Sequence, residues 1–389
     1  MMKDVLMLCV RYPPAPGGAE THVKSIKEEL GDLGYSVEIY TSDLYKEFPF
    51  TRLDKQTHSK DVKRHKAYSL PGDLHYIFFP SLIKSLASND FDIYHAHSYG
   101  YFHVNAAALF KHLKDTPFVL TPHFHPEWSM WGGKKRKFIR GVYDSVIAQK
   151  VIDSADRIIG VSRNEIELLK GKLEVQEEKV RIIPNGINEA EFTPVPDSYL
   201  FRELYDIDDN LVLFTGRLAT NKGLLTLIKS IPEIIDEYPN TTFALIGEDE
   251  GMKSKIIKLA KKLGVRDSLL ITGYIKDYDV FKSAYSAADV YVLPSEYEAF
   301  GIVLLEAMMC ETPCIGTRVG GVPEVIEDGK TGYIIEYGSD EQLSSKIINL
   351  LDDEKKRKCM GKAGRKRVLN NFTWKKVALE LKDVYEELV

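Results

Sequence analysis

Runs of residues that are apolar at every position most constrain how this chain can fold. Val5-Leu-Met-Leu-Cys-Val10, Leu211-Val-Leu-Phe214 and Val290-Tyr-Val-Leu293 show no alternation of apolar with polar side chains. A strand with one wet face alternates, whereas a strand covered on both faces does not. Between such runs lie stretches of helical periodicity, Ala19–Leu33 among them. Continuous apolar strands alternating with helices predict a parallel sheet with helices on both sides. Ser36–Thr41, Ile93–Ala96, Phe118–Thr121 and Arg157–Val161 extend the first series.

The pattern then restarts. Glu191-Phe-Thr-Pro-Val-Pro196 reads as a proline-bearing connector. Leu211–Thr215 is a new first strand, followed by Thr242–Ile246, Ser268–Thr272, Val290–Leu293 and Pro313–Gly316. A length of 389 residues suits two domains better than one core. Two βα halves in tandem bind ligands at the carboxyl ends of their strands, which makes a cleft between them the natural active site. The last segment, Trp374–Leu388, reads as an amphipathic helix.

Composition narrows the class. A net charge of -5 gives no global case for nucleic acid. Four cysteines (Cys9, Cys310, Cys314 and Cys359) are too few for a disulfide framework, and Cys310 and Cys314 lack the company of a zinc site. A reducing cytoplasm is expected. The N-terminus reads as a buried first strand and not as a signal peptide. No apolar run approaches the ~18–20 residues that span a bilayer.

The segment Pro294-Ser-Glu-Tyr-Glu-Ala-Phe-Gly-Ile-Val-Leu-Leu-Glu-Ala-Met308 places Glu298 and Glu306 around Phe300-Gly301. A strand runs into it and a helix runs out. Glycine lets backbone approach a ligand, and a helix start offers unpaired N–H groups. With a helix beginning near Phe300, eight residues at ~100° each leave only ~80° between the carboxylates, so both can face one cleft. Carboxylates only accept hydrogen bonds, which suits a ligand rich in hydroxyls. The plain alternative is a helix-dipole carboxylate and a surface charge. Glu306, set in Ile302-Val-Leu-Leu-Glu-Ala-Met-Met309, needs a partner on either reading.

Gly216-Arg217-Leu-Ala-Thr-Asn-Lys222-Gly223 follows a strand end, where Arg217 can fork onto phosphate oxygens and Lys222 add a point charge. It is not a P-loop. Gly17-Gly18-Ala19-Glu20 opens the first helix and either meets an anion or sugar or is a plain turn. It lacks the dinucleotide glycine pattern, which disfavours a nicotinamide cofactor. His95, His97, His123 and His125 sit at two strand ends. Metal ligation, satisfied burial and substrate contact are all open to them, with no acidic ligand in register. Asp90-Phe-Asp92 precedes a strand, the wrong end for a ligand, and reads as structural. The stretch from Trp128 to Arg140 combines two tryptophans with Lys134, Lys135, Arg136, Lys137 and Arg140. It is either a solvated helix start or an anionic-membrane contact.

These residues together resemble the retaining GT-B glycosyltransferases of the family 4 type, which include phosphatidylinositol mannosyltransferases, sucrose-phosphate synthases and trehalose glycosyltransferring synthases. The likeness runs through Gly17–Glu20, Asp92–His97, Pro184-Asn-Gly-Ile187, Gly216–Gly223, Glu298–Glu306 and Gly320-Gly-Val-Pro-Glu324. It implies two Rossmann-like domains facing each other across a cleft: residues 1–190 for the acceptor and 191–371 for the donor, with the helix of 372–389 packing back on the first. It implies that Arg217 and Lys222 hold the diphosphate, Glu298 the sugar hydroxyls and Glu306 the ribose. By the same likeness Phe300, Gly301, Ile302 and Val303 approach through their backbone, Tyr274 and Ile275 meet the base, Gly17 and Gly18 line the donor, and His123 lies near the transferred sugar.

The implied reaction is metal-free and cofactor-free transfer of a hexosyl group from a UDP- or GDP-hexose to a sugar, lipid-linked or lipid acceptor, with retention. Peripheral membrane contact would run through 128–140. A nucleotide-sugar-binding protein without transfer, an epimerase on the same fold and a phosphorylase-like enzyme with a pyridoxal cofactor are the competing expectations. The intact Arg217, Lys222, Glu298, Glu306 and His123 set favours the transferase.

Overall fold

A computed structural model describes residues 3–47, 50–54, 59–70, 76–125 and 134–389. The chain forms two compact units. The first comprises Met1–Asn185 with Trp374–Val389, the second Gly186–Thr373.

The first unit opens with β1 (Asp4–Leu8), α1 (Gly18–Asp32) and β2 (Ser36–Ser42). Short strands β3 (Leu44–Lys46) and β4 (Thr51–Arg52) pair antiparallel, as do β6 (Tyr68–Ser69) and β7 (Ile77–Phe78), on either side of β5 (Val62–His65). Then follow α2 (Ser81–Ser88), β8 (Ile93–His97), α3 (Phe102–Lys114), β9 (Phe118–Thr121), α4 (Lys134–Tyr143), α5 (Gln149–Ser154), β10 (Arg157–Gly160), α6 (Arg163–Lys170) and β11 (Val180–Ile182). Seven of these strands make one parallel sheet in the order β11-β10-β9-β8-β1-β2-β5.

The absence of alternation in β1 has its cause here. Leu6 and Leu8 join one apolar cluster, with α2 and α3, while Val5 and Met7 join another on the opposite face with α1. Every position from Val5 to Leu8 is therefore buried. The C-terminal helix, α15 (Trp374–Glu386), belongs to this second cluster through Trp374, Val377, Ala378, Leu381, Val384 and Tyr385. Burying a side chain such as Val377, Leu381 or Val384 contributes about 1.5–3 kcal/mol, which ties this helix to the first strand.

The second unit runs through α7 (Tyr199–Tyr205), β12 (Leu211–Thr215), α8 (Leu224–Glu237), β13 (Thr242–Ile246), α9 (Lys253–Leu263), β14 (Leu269–Gly273), α10 (Tyr278–Ala287), β15 (Val290–Leu293), α11 (Ile302–Met309), β16 (Cys314–Thr317), α12 (Val322–Val325), β17 (Gly332–Ile335), α13 (Asp340–Asp352) and α14 (Glu354–Asn371). Its parallel sheet has the order β14-β13-β12-β15-β16-β17. In both sheets the chain runs outward on one side of the first strand and later restarts on the other. The switch falls between β1 and β8 in one unit and between β12 and β15 in the other. Ligands of open α/β sheets bind at the carboxyl ends of such neighbouring strands. Both units are thus Rossmann-like.

Candidate functional site

In the second unit the loops after β12 and β15 are laced together. Glu296 N donates to Asn221 O across 2.9 Å. Gly223 has φ 64°, and a Cβ there would stand 1.8 Å from Pro294 O, so only glycine lets the loops meet. Across this junction Lys222 Nζ donates to Glu298 Oε2 at 2.7 Å. The two side chains are only 16% and 19% exposed, so the pair is partly withdrawn from water.

Glu298 is also held by its backbone. Its carbonyl accepts from Gly321 N at 3.0 Å. A Cβ on Gly320, where φ is 51°, would lie 1.6 Å from that oxygen. The glycine pair after β16 therefore fixes where Glu298 sits. Downstream, Gly301 caps α11 with φ 94°, and the helix begins at Ile302. The expected start near Phe300 shifts by two residues because Phe300 is turned into the core, edge-on to Phe372 with centroids 5.7 Å apart. Ile302 and Val303 are half-buried in the first turn, where N–H groups have no partner within the helix.

Glu306 does find the partner its apolar surroundings demand. Tyr285 Oη donates to Glu306 Oε2 in a short hydrogen bond. Tyr285 also shares a hydrogen bond with Thr215 Oγ1 at 2.7 Å, and Thr215 Oγ1 pairs with Tyr291 Oη at 3.0 Å. Burial pushes the Glu306 carboxyl up to about 7, with the Tyr285 hydrogen bond opposing and the Glu191 charge adding to the rise. The spacing that lets both glutamates face one cleft gives them different partners: Lys222 for Glu298, Tyr285 for Glu306.

Arg217 is exposed at 62% and donates to both carboxylate oxygens of Glu250, at 2.8 and 2.9 Å. The two cations expected to meet an anion each face a carboxylate. Tyr274 follows β14 and is 67% exposed, while Ile275 beside it is half-buried. The Tyr285–Thr215–Tyr291 chain and Glu250 were not read from the sequence.

In the first unit Gly17 and Gly18 open α1, and Glu20 pairs with Arg11 Nε at 2.7 Å. His95 and His97 share one face of β8, with ring centroids 4.2 Å apart. His95 is a satisfied core residue, bonded to Tyr385 Oη at 2.7 Å and Thr121 Oγ1 at 2.8 Å. His97 is buried, and neither ring nitrogen has a partner among the described residues. His123 is half-buried and has φ 43°, an uncommon backbone state for a residue other than glycine. Glu165 pins the next residue: its Oε1 accepts from Phe124 N at 2.6 Å and its Oε2 from Val161 N at 2.7 Å. Burial pushes the Glu165 carboxyl up to about 7 against those two donors.

His22 joins this group and was not singled out in the sequence. It spaces with Ile26 and Leu30 at every fourth residue, which is the buried stripe of α1. That signal was available. His125 is half-buried and has no part in the cluster formed by His22, His97 and His123.

Asp92 accepts from Asp4 N at 2.8 Å, and Asp90 pairs with Lys114 at 2.6 Å, both ahead of β8 as a structural role requires. All four cysteines are free. No helix among the described residues is long and apolar enough to cross a membrane. Trp128 and Trp131 lie outside the described residues. Of the basic residues beyond them, Arg140 is buried, which removes it from any surface patch, whereas Lys134 and Lys137 are exposed.

Comparison with known proteins agrees with this architecture. Residues 16–191 match the family described as Glycosyltransferase Family 4, and residues 199–367 match Glycosyl transferases group 1. An uncharacterised glycosyltransferase of Methanocaldococcus jannaschii is 28% identical over 395 residues, covering 98% of this chain and 97% of its own. Alpha-maltose-1-phosphate synthase of Mycolicibacterium smegmatis is 25% identical over 405 residues, covering 99% of each chain. Among solved structures, HepE of Anabaena in complex with UDP and glucose superposes with a TM-score of 0.77 at 18% identity, over 99% of this chain and 100% of its own.

Proposed function

We infer that this chain, which belongs to the glycosyltransferases of family 4 and group 1 type and moves a sugar from a donor to an acceptor, takes a hexosyl group from a nucleoside diphosphate hexose and retains its anomeric configuration. The Lys222–Glu298 pair carries the donor part of this reading, while retention rests on the likeness to family 4. One cation and one carboxylate, on separate loops at the strand ends, exchange partners when a diphosphate sugar enters. Lys222 turns to a phosphate oxygen and Glu298 to the sugar hydroxyls. Arg217 leaves Glu250 for the same phosphates, aided by the first turn of α11.

Glu306, held through Tyr285, accepts from the ribose hydroxyls, and exposed Tyr274 offers a face to the base. His123 offers a ring nitrogen to a substrate hydroxyl. The bond from the anomeric carbon to the diphosphate oxygen breaks, and its electron pair stays on the diphosphate. Lys222, Arg217 and the helix N-terminus stabilise that charge as it develops. The acceptor oxygen bonds to the anomeric carbon on the same face, and its proton passes to the leaving phosphate. The protein's own cations supply the positive charge, so transfer needs no divalent ion.

HepE is solved with UDP, which makes uridine the first base to test, with GDP as its competitor. A ligand that binds only the native state raises the melting midpoint. UDP should raise it, and nucleoside diphosphate should be released from UDP-hexose only when an acceptor hydroxyl is present. Stabilisation by neither UDP nor GDP would remove the donor assignment. Transfer that stops in a chelator and returns only with a divalent ion would remove the metal-free mechanism.

A further inference from the structure

Three imidazoles converge in the first unit from three elements. His22 comes from α1, His97 is the last residue of β8, and His123 lies just after β9. Ring centroids are 5.5 Å apart for His22 and His97, 5.0 Å for His22 and His123, and 5.7 Å for His97 and His123. One nitrogen from each lies within 4.8 Å of the others.

Their hydrogen-bonding state is that of ligands awaiting an acceptor. His22 Nδ1–H donates to Asn185 Oδ1 at 2.7 Å, which leaves the lone pair on Nε2. A carbonyl that fixes the tautomer from behind is the usual support of a metal-bound histidine. Both nitrogens of His97, and Nε2 of His123, are buried without a hydrogen-bond partner among the described residues. Buried polar atoms are normally satisfied, so an orphaned set pointing together calls for an occupant. Burial holds His22 down to about 4 against its hydrogen bond to Asn185, and burial together with neighbouring imidazoles keeps His97 and His123 well below their ordinary value. All three are therefore neutral near pH 7, the form that binds metals. His95 lies tilted against His97 but has both nitrogens occupied, and it acts as a wall.

We propose that His22, His97 and His123 form a site for a borderline divalent transition ion, Zn2+ in the first instance, and that the bound ion inhibits transfer by occupying His123. Three imidazoles with no carboxylate or thiolate suit Zn2+, Ni2+ or Cu2+ and reject Mg2+ and Ca2+, which take oxygen ligands. Tetrahedral zinc with bonds of 2.0–2.1 Å spaces its ligands about 3.3 Å apart, so the widest pair must close by about 1.5 Å. Side-chain rotation of half-buried His123 is the movement that closes it. The inhibitory half rests on the proposed contact between His123 and a substrate hydroxyl.

Calorimetric titration of the full chain with Zn2+ tests the site, with exposed Cys359 replaced by serine to remove a competing thiol. One ion should bind per chain, Mg2+ should not compete, and Co2+ should give the visible absorption of a four-coordinate ion. His22→Gln and His97→Gln should each abolish the binding, with folding checked by circular dichroism. Asn185→Ala, which spares all three ligands, should weaken it by about tenfold or more. Zn2+ should inhibit the parent enzyme and lose that effect in His22→Gln. No stoichiometric binding, or unchanged binding in folded His22→Gln and His97→Gln, overturns the site whatever the enzyme transfers. Stoichiometric binding that leaves transfer unchanged overturns the inhibitory half and, with it, the contact proposed for His123.

Discussion

Lys222 Nζ stands 2.7 Å from Glu298 Oε2, joining the loop after β12 to the loop after β15. The pair spans the switch point of the second sheet and neutralises each charge in a partly dry setting. Removing one partner strands the other, which costs about 1–3 kcal/mol for a polar group and more for a charged one. If Lys222 also meets the departing diphosphate, activity falls further than stability does. Lys222→Ala should lower kcat by about 10²–10³-fold, the loss typical of one charge-stabilising donor. Glu298→Ala should do the same while nucleoside diphosphate still binds. Near-normal turnover in both variants would remove the pair from the mechanism, and a double-mutant cycle separates their mutual contact from each one's contact with substrate.

Glu306 gives stability a definite dependence on pH. Its folded value of about 7 lies above its ordinary 4.5, so the folded chain holds the proton more tightly than the unfolded one. The contribution is fully present below 4.5 and is lost as pH rises through about 7. Glu306→Gln should flatten that decline, removing on the order of 2 kcal/mol of pH-dependent change between about pH 5 and pH 8. Urea melts at several pH values read it directly. An unchanged slope in the variant would assign the decline to other groups, Glu165 first among them.

What the sequence made legible, and what it did not, follows from distance along the chain. Strands buried on both faces lose alternation, so β1, β12 and β15 were readable from local pattern alone. That Glu306 needs a partner was readable too, because seven apolar residues surround it. The identity of that partner was not. Tyr285 sits on α10, twenty-one residues upstream, and only helix packing brings it in. Arg217 and Lys222 read as free cations because Glu250 and Glu298 follow them by 33 and 76 residues on the loops after β13 and β15. His22 was hidden differently: its position on the buried stripe of α1 was visible, but its meeting with His97 and His123 depends on sheet order.

Glu165 should act on His123 without touching substrate. It ties Phe124 N and Val161 N with one carboxylate, and its own N–H is capped by Ser162 Oγ at 3.1 Å. His123, immediately before Phe124, holds a left-handed backbone that local preference resists. Glu165→Ala should release both amides and let that backbone relax. The expected result is a fall in kcat of about tenfold or more with little change in donor KM, and faster hydrogen exchange at Phe124. Glu165→Gln, which keeps one acceptor oxygen, should recover part of kcat. Equal losses in kcat and stability with slow exchange at Phe124 would make Glu165 a purely structural residue.

The surface of α4 and the turn beyond it offers apolar area where a folded chain usually hides it. Phe138 is 73% exposed, and Ile139, Val142, Val146 and Ile147 are exposed as well. Phe138, Val142 and Val146 recur every fourth residue along one side, with exposed Lys134 and Lys137 at the start of the helix. Apolar side chains flanked by lysines suit the boundary of an anionic bilayer, where each basic residue near the surface adds about 1 kcal/mol. The chain should co-sediment with vesicles containing phosphatidylserine at low salt, and much less with neutral vesicles. Phe138→Asp should remove most of that binding, since it places a like charge at the most exposed apolar position, while leaving UDP-induced stabilisation of the second unit intact. Lysine-to-glutamine changes at 134 and 137 should weaken binding and lessen its salt dependence. No sedimentation with anionic vesicles at low salt would leave the acceptor to be sought among soluble sugars.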